Sequence, residues 1–186
     1  MTGRLATTGL LGAAAVAFAL GPVAVPNYSL VSQSISETAA QATPGAWVAR
    51  SGFALLGMAV LSARSHAQVG RPSAMAYSAF ALGLFGVGVW SHEPYLADLP
   101  YDATEASLHS LVAAGMGLAI VTAEVLAAWH TRRKGPLLLA SAYLLLPAAM
   151  NLHPAFAGVY QRLMFALLIA SLLVRTWRPA AAQSVQ

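Results

Sequence analysis

Apolar residues along the 186-residue chain gather into six long runs separated by short polar or proline-bearing stretches. The runs cover residues 5–25, 47–63, 73–90, 108–129, 136–150 and 156–177. A helix rising 1.5 Å per residue needs about 20 apolar residues to cross a hydrocarbon core of about 30 Å, and these runs are of that order. None alternates apolar and polar positions as a barrel strand does. Within a bilayer only helices and closed barrels satisfy their own backbone, so helices are expected. The pattern predicts an all-α fold: a polytopic transmembrane six-helix bundle with short loops. Residues 1–178 are expected to form one domain, and 179–186 a frayed, small and polar tail. Arg4 precedes the first run as in a signal peptide, but the run is longer than such an apolar core and reads as a span. Ala79 and Gly83, Ala113 and Gly117, and Gly115 and Ala119 are small pairs four apart, predicting close helix packing.

Composition removes several classes. The chain is 58% hydrophobic and 9% charged, against about 25% charged in soluble domains. A soluble globular domain, a disordered chain and a nucleic-acid-binding domain are excluded. There is no cysteine, so disulfides and thiol chemistry are excluded as well.

The placement of the charges says more than their sum. Threading the six runs puts Arg4, Arg64, Arg71, Arg132, Arg133, Lys134, Arg175 and Arg178 on one side. Only Arg50 and Arg162 fall on the other, together with Glu37, Glu93, Asp98, Asp102 and Glu105. This asymmetry puts both termini in the cytoplasm. Trp47, Trp90, Trp129 and Trp177 sit at predicted span ends, where amphipathic rings favour the headgroup layer.

Candidate chemistry lies on the acidic, outer side. One loop contains NYSLVSQSISE, residues 27–37, and another reads SHEPYLADLPYDATE, residues 91–105. Asn151 and His153 close the third. Glu105 and His109, four apart, share a helix face. Imidazoles and carboxylates are ligands for zinc, so His92, His109, His153 and Asp102 form a candidate metal set able to activate water. Glu105, Glu37 and Ser36 are the candidate catalytic groups beside it. The alternative is that these side chains cap helices and face solvent, since no HExxH motif is present. Haem is not expected, because His109 and His153 lie near the surface and His66 and His130 stand beside arginines. No other cofactor is predicted. Arg50 and Arg162 oppose the charge trend and are expected to pair with Glu37 and the second outer loop, tying a lid together with Glu93 and Gln161. Glu124 is the one carboxylate inside a span. It either carries function or reaches the headgroups, Arg132 and Arg133.

Four stretches carry a family resemblance. Ile35-Ser36-Glu37 followed by Pro44-Gly45-Ala46-Trp47 and Gly52-Phe53 is the first, and GVGVWSHEP at 86–94 the second. Leu108-His109 and GVYQRL at 158–163 complete the set. In order and spacing they resemble the domain-of-unknown-function 998 family of six-helix bacterial and archaeal membrane proteins. Glu93 stands where that family usually has an aspartate before proline. The resemblance implies that Ser36, Glu37, Glu93, His109, Gln161 and Arg162 form one outer-face constellation in a bacterial cytoplasmic membrane. It implies no activity.

The expected role is a non-catalytic accessory or structural subunit packing against a larger membrane complex, for example an energy-transducing or photosynthetic assembly. Its partners are then the lipid bilayer and a membrane protein, with no nucleic acid. The alternatives are a metal-dependent hydrolase acting at the outer leaflet and a small transporter with Glu124 as coupling residue. The absence of broken helices and repeats counts against the last.

Overall fold

The computed structural model describes residues 1–64, 69–96 and 98–178, so His66 and the tail 179–186 lie outside the described residues. Regular structure among the described residues is helical throughout. The order is α1 Thr2–Ala24, α2 Ile35–Thr38, α3 Ala46–Ala63, α4 Arg71–Val89, α5 Ala103–Thr131, α6 Gly135–Leu152 and α7 Ala157–Trp177. A single 3₁₀ turn, Pro154–Phe156, leads into α7. All but the short α2 are long and apolar enough to cross a membrane.

The helix ends have local causes. α1 stops where Val25 turns extended ahead of Pro26, a residue without an N–H to continue the ladder. α3 starts from Gly45 at φ +76°, where a β-carbon would sit 2.5 Å from the Ala24 carbonyl oxygen. Only glycine meets both the left-handed backbone and that approach. α5 begins five residues before its apolar run, because the Asp102 carboxylate caps it. It accepts from the Thr104 and Glu105 amides at 2.7 and 3.3 Å, satisfying first-turn donors that would otherwise be orphaned. Inside α6, Pro147 removes the hydrogen bond that would reach the Tyr143 carbonyl.

The long helices pack as a closed ring in the order α1, α3, α4, α5, α6, α7 and back to α1. Phe18, Phe53 and Phe165 meet inside it at ring separations of 5.1–5.9 Å. One end of the bundle, the loop face, carries residues 25–45, 90–96, 98–102 and 153–156. The arginine face carries residues 1, 64, 69–70 and 178 and the turn after α5.

The small-residue pairs divide. Gly83 and Gly86 on α4 do permit close packing, since a β-carbon on either would come within 2.8 Å of Met116 or Val112 on α5. Gly115 and Gly117 on α5 have nothing within 4 Å of where theirs would be. Close packing therefore holds on one side of α5, while Gly117 borders open space.

Candidate functional site

On the loop face, Gln41 binds its own loop to both ends of the loop between α4 and α5. Its amide donates to the His92 carbonyl at 2.9 Å. Its side-chain nitrogen donates to the Ser91 and Asp102 carbonyls at 3.2 and 3.0 Å, and its side-chain oxygen accepts from the Asp102 amide at 2.7 Å. Glu105 accepts from the Ser91 amide at 2.7 Å, and His109 Nδ1 lies 2.8 Å from the Trp90 carbonyl. The shared helix face of Glu105 and His109 thus clamps the end of α4. His109 is 2 % exposed, its ring edge-on to His92 at 5.2 Å. Glu37 is occupied too, in a capping box with Ser34 that starts α2.

The candidate metal set does not assemble. His92 and His109 come together, but Asp102 is a helix cap and His153 is exposed at the end of α6. No group of three histidines or carboxylates able to hold a metal forms among the described residues. Replacing Asp102 by alanine is expected to cost about 1 kcal/mol of stability through the lost cap. Thermal denaturation in detergent should show that drop unchanged by zinc or a chelator; a zinc-dependent drop would restore the metal reading.

The two loop-face arginines are not paired with carboxylates, contrary to expectation. Arg162 Nη1 donates to the Leu30, Gln33 and Gly158 carbonyls at 2.9 Å each, and Nη2 to the Tyr28 hydroxyl at 2.7 Å. Arg50 donates to the Ala39 and Ala40 carbonyls at 3.0 and 3.1 Å. Both cations satisfy carbonyls that a short irregular loop leaves without ladder partners. Burial pushes the Tyr28 hydroxyl above its usual pKa of 10.0, against the pull of Arg162, so it stays a donor. It lies 2.6 Å from both the Gln33 and Ser34 carbonyls. Of the constellation implied by the resemblance, Ser36 meets Gln161, whose side-chain oxygen is 3.3 Å from the Ser36 amide. Glu93 is exposed, and its carbonyl rather than its carboxylate lies 2.8 Å from His92 Nδ1.

Glu124 stands apart from all of these. It is 0 % exposed and reaches neither headgroups nor Arg132 and Arg133. Its Oε2 lies 2.5 Å from Arg175 Nη2, the one ion pair among the described residues. Its Oε1 accepts from the Tyr77 hydroxyl at 2.8 Å. Tyr77 also accepts from Arg175 Nη1, and the guanidinium lies over its ring at 5.4 Å. Arg132 stacks instead on Trp129 at 5.5 Å. Arg175 keeps its place at the arginine-face end of α7 but points inward, an orientation that no local sequence signal marks. Beside this network the Tyr143 hydroxyl is buried, with the Ser171 hydroxyl as a neighbour.

A cavity of about 580 Å³ lies between α5, α6 and α7, backed by Phe53 and Phe80. α5 and α7 are not ring neighbours, which leaves the space. Ser36, Ser110, Asn151 and Gln161 line its loop-face end. Toward the arginine face its walls are Ile120, Val121, Met164, Phe165 and Leu168, with the Tyr143 ring. Gly117 lines it midway.

The family described as "Protein of unknown function (DUF998)" matches residues 9–178 of the chain. No curated protein and no solved structure matches it.

Proposed function

The chain belongs to the DUF998 family of proteins of unknown function, and we propose that this multi-pass member binds an amphiphile within the membrane. The alkyl part fills the cavity between α5, α6 and α7, and the polar head meets Ser36, Asn151 and Gln161. The observation that carries the reading is the cavity's shape and polarity: about 580 Å³, apolar along its length and polar at one end. Ligand sites commonly enclose about 300–1,000 Å³, apolar with a few placed polar groups. An unfilled void of this size forfeits the dispersion contacts that its lining would otherwise make, and an alkyl chain restores them.

The arginine asymmetry supports a cavity mouth at the outer leaflet of a bacterial cytoplasmic membrane, with both termini in the cytoplasm. Hydrolysis has less support, because Glu37, Asp102 and Glu105 are each engaged by backbone amides. An accessory subunit of a larger complex would leave the cavity without a use.

A photoactivatable long-chain alkanol added to the protein in nanodiscs tests this. It is expected to label residues 110–121 and 143–151. Gly117→Leu, which puts a side chain into the cavity, should cut labelling at least about tenfold, equivalent to about 1.4 kcal/mol of binding. Gly115→Leu, outside the cavity lining, should leave it unchanged. Equal labelling of all three proteins would overturn the reading.

A further inference from the structure

The cavity ends where the buried network begins. Glu124 lies one helical turn beyond Ile120 on α5, and Arg175 two turns beyond Leu168 on α7. Tyr77 lies one turn before Phe80 on α4. The space between α5 and α7 is open beside the apolar lining and bridged below it by the Glu124–Arg175 ion pair and the Tyr77 hydroxyl. A charged pair is an expensive way to join two membrane helices. Well-packed apolar residues join them as firmly, so an intramembrane pair points to a role besides stability. Unlike apolar packing, it has a discrete broken state, in which a proton or water must take the place of the lost partner. On the arginine-face side of Arg175, α7 ends within three residues, at Arg178, so a parted pair lies close to the far headgroup layer. The Tyr143 ring lines the cavity, while its hydroxyl is buried beside the pair, facing Glu124 and Ser171. The cavity lining and the network thus meet in one side chain.

We infer that the Tyr77–Glu124–Arg175 network is a closed gate at the arginine-face end of the cavity, and that opening it passes the amphiphile between the two leaflets. The inference rests on the binding reading above and adds translocation to it. When the pair parts, α5 and α7 separate at the level of residues 124 and 175. The apolar path from Ser110 and Gln161 to Val121 and Leu168 then continues to the arginine face. The substrate class is a membrane amphiphile with a single small polar head, since the cavity offers polar groups at the mouth alone.

The chain has no cysteine, which makes a locking test clean. The full chain, wild type and Glu124→Cys/Arg175→Cys, is reconstituted in phosphatidylcholine liposomes carrying a fluorescent-tagged lipid, and dithionite bleaches the label in the outer leaflet. Wild type is expected to bring inner-leaflet label into reach of dithionite. Joining the two cysteines with a reducible bis-thiosulfonate linker should slow this at least about tenfold. The photoactivatable alkanol should still label the linked protein, and reductant should restore transfer. Glu124→Gln/Arg175→Gln, which keeps side-chain amides but removes the charges, should transfer severalfold faster than wild type. It covers the case in which the cysteine pair fails to assemble. No transfer by wild type, transfer indifferent to the linker, or no acceleration in the glutamine pair would overturn the gate. Loss of alkanol labelling in wild type would instead overturn the binding reading beneath it.

Discussion

Arg175→Ala is expected to destabilise the fold by about 3–5 kcal/mol, the usual cost of leaving one partner of a buried ion pair charged and alone. Glu124 has no exposure and no other cation within reach among the described residues, and its remaining partner is the Tyr77 hydroxyl at 2.8 Å. Within a span the orphaned carboxylate must take up a proton or drag water inward. Glu124→Ala should cost a similar amount by stranding Arg175. The double replacement Glu124→Leu/Arg175→Met should recover most of either loss, because it removes both charges at once. Denaturation of the four proteins in one detergent closes the cycle, and a coupling energy well outside the additivity error of about 0.5 kcal/mol is expected. Arg178→Ala, one residue past the helix end and exposed, is the control and should change little. Equal effects at 175 and 178 would show that Arg175 is solvated after all.

Removing Arg162 is the second large effect. Its guanidinium holds three carbonyls and the Tyr28 hydroxyl, joining the loop after α1 to the first turn of α7. Hydrogen bonds from a charged donor contribute about 1.5–3 kcal/mol each and are not additive. Arg162→Ala is therefore expected to cost about 2–3 kcal/mol, concentrated in residues 28–37. Arg162→Lys should recover only part, since a point charge cannot reach the spread of acceptors that the planar fork does. Gly158→Ala should loosen the same junction by a different route. Its β-carbon would sit 2.4 Å from the Gln33 carbonyl oxygen and 2.5 Å from that of Leu30, so the loop must lift. Hydrogen exchange is the readout: amides of residues 28–37 should lose protection in both variants while those of α3 and α4 keep it. Uniform loss across the bundle would mean that the loop is not a separable unit.

What could be read from the chain follows from which forces are local. The six spans are legible because a bilayer demands long apolar runs, and the start of α5 was legible in principle from Asp102 and Glu105, three apart as in a capping box. The metal set failed because histidines and carboxylates at one membrane face have several uses, and here backbone amides and carbonyls took them. Arg162 shows the same thing for cations: its acceptors are carbonyls, and every residue has one. Glu124 was identifiable as an exception by being an acid in a span, yet its partner was not. Arg175 sits near the end of a run, as an interfacial arginine does, and only the packing of α7 turns it inward. The cavity was the least legible feature. Gly83 and Gly117 look alike in sequence; one has Met116 against it and the other has open space. Only the ring order of the helices, with α5 and α7 held apart, distinguishes them.

The most direct measurement is native mass spectrometry of the protein released from its own membrane in mild detergent, wild type beside Gly117→Leu and Gly115→Leu. The account predicts an amphiphile carried by the wild type and by Gly115→Leu, and lost from Gly117→Leu while all three remain folded. Bare protein in every case, or the same amphiphile on all three, would contradict it.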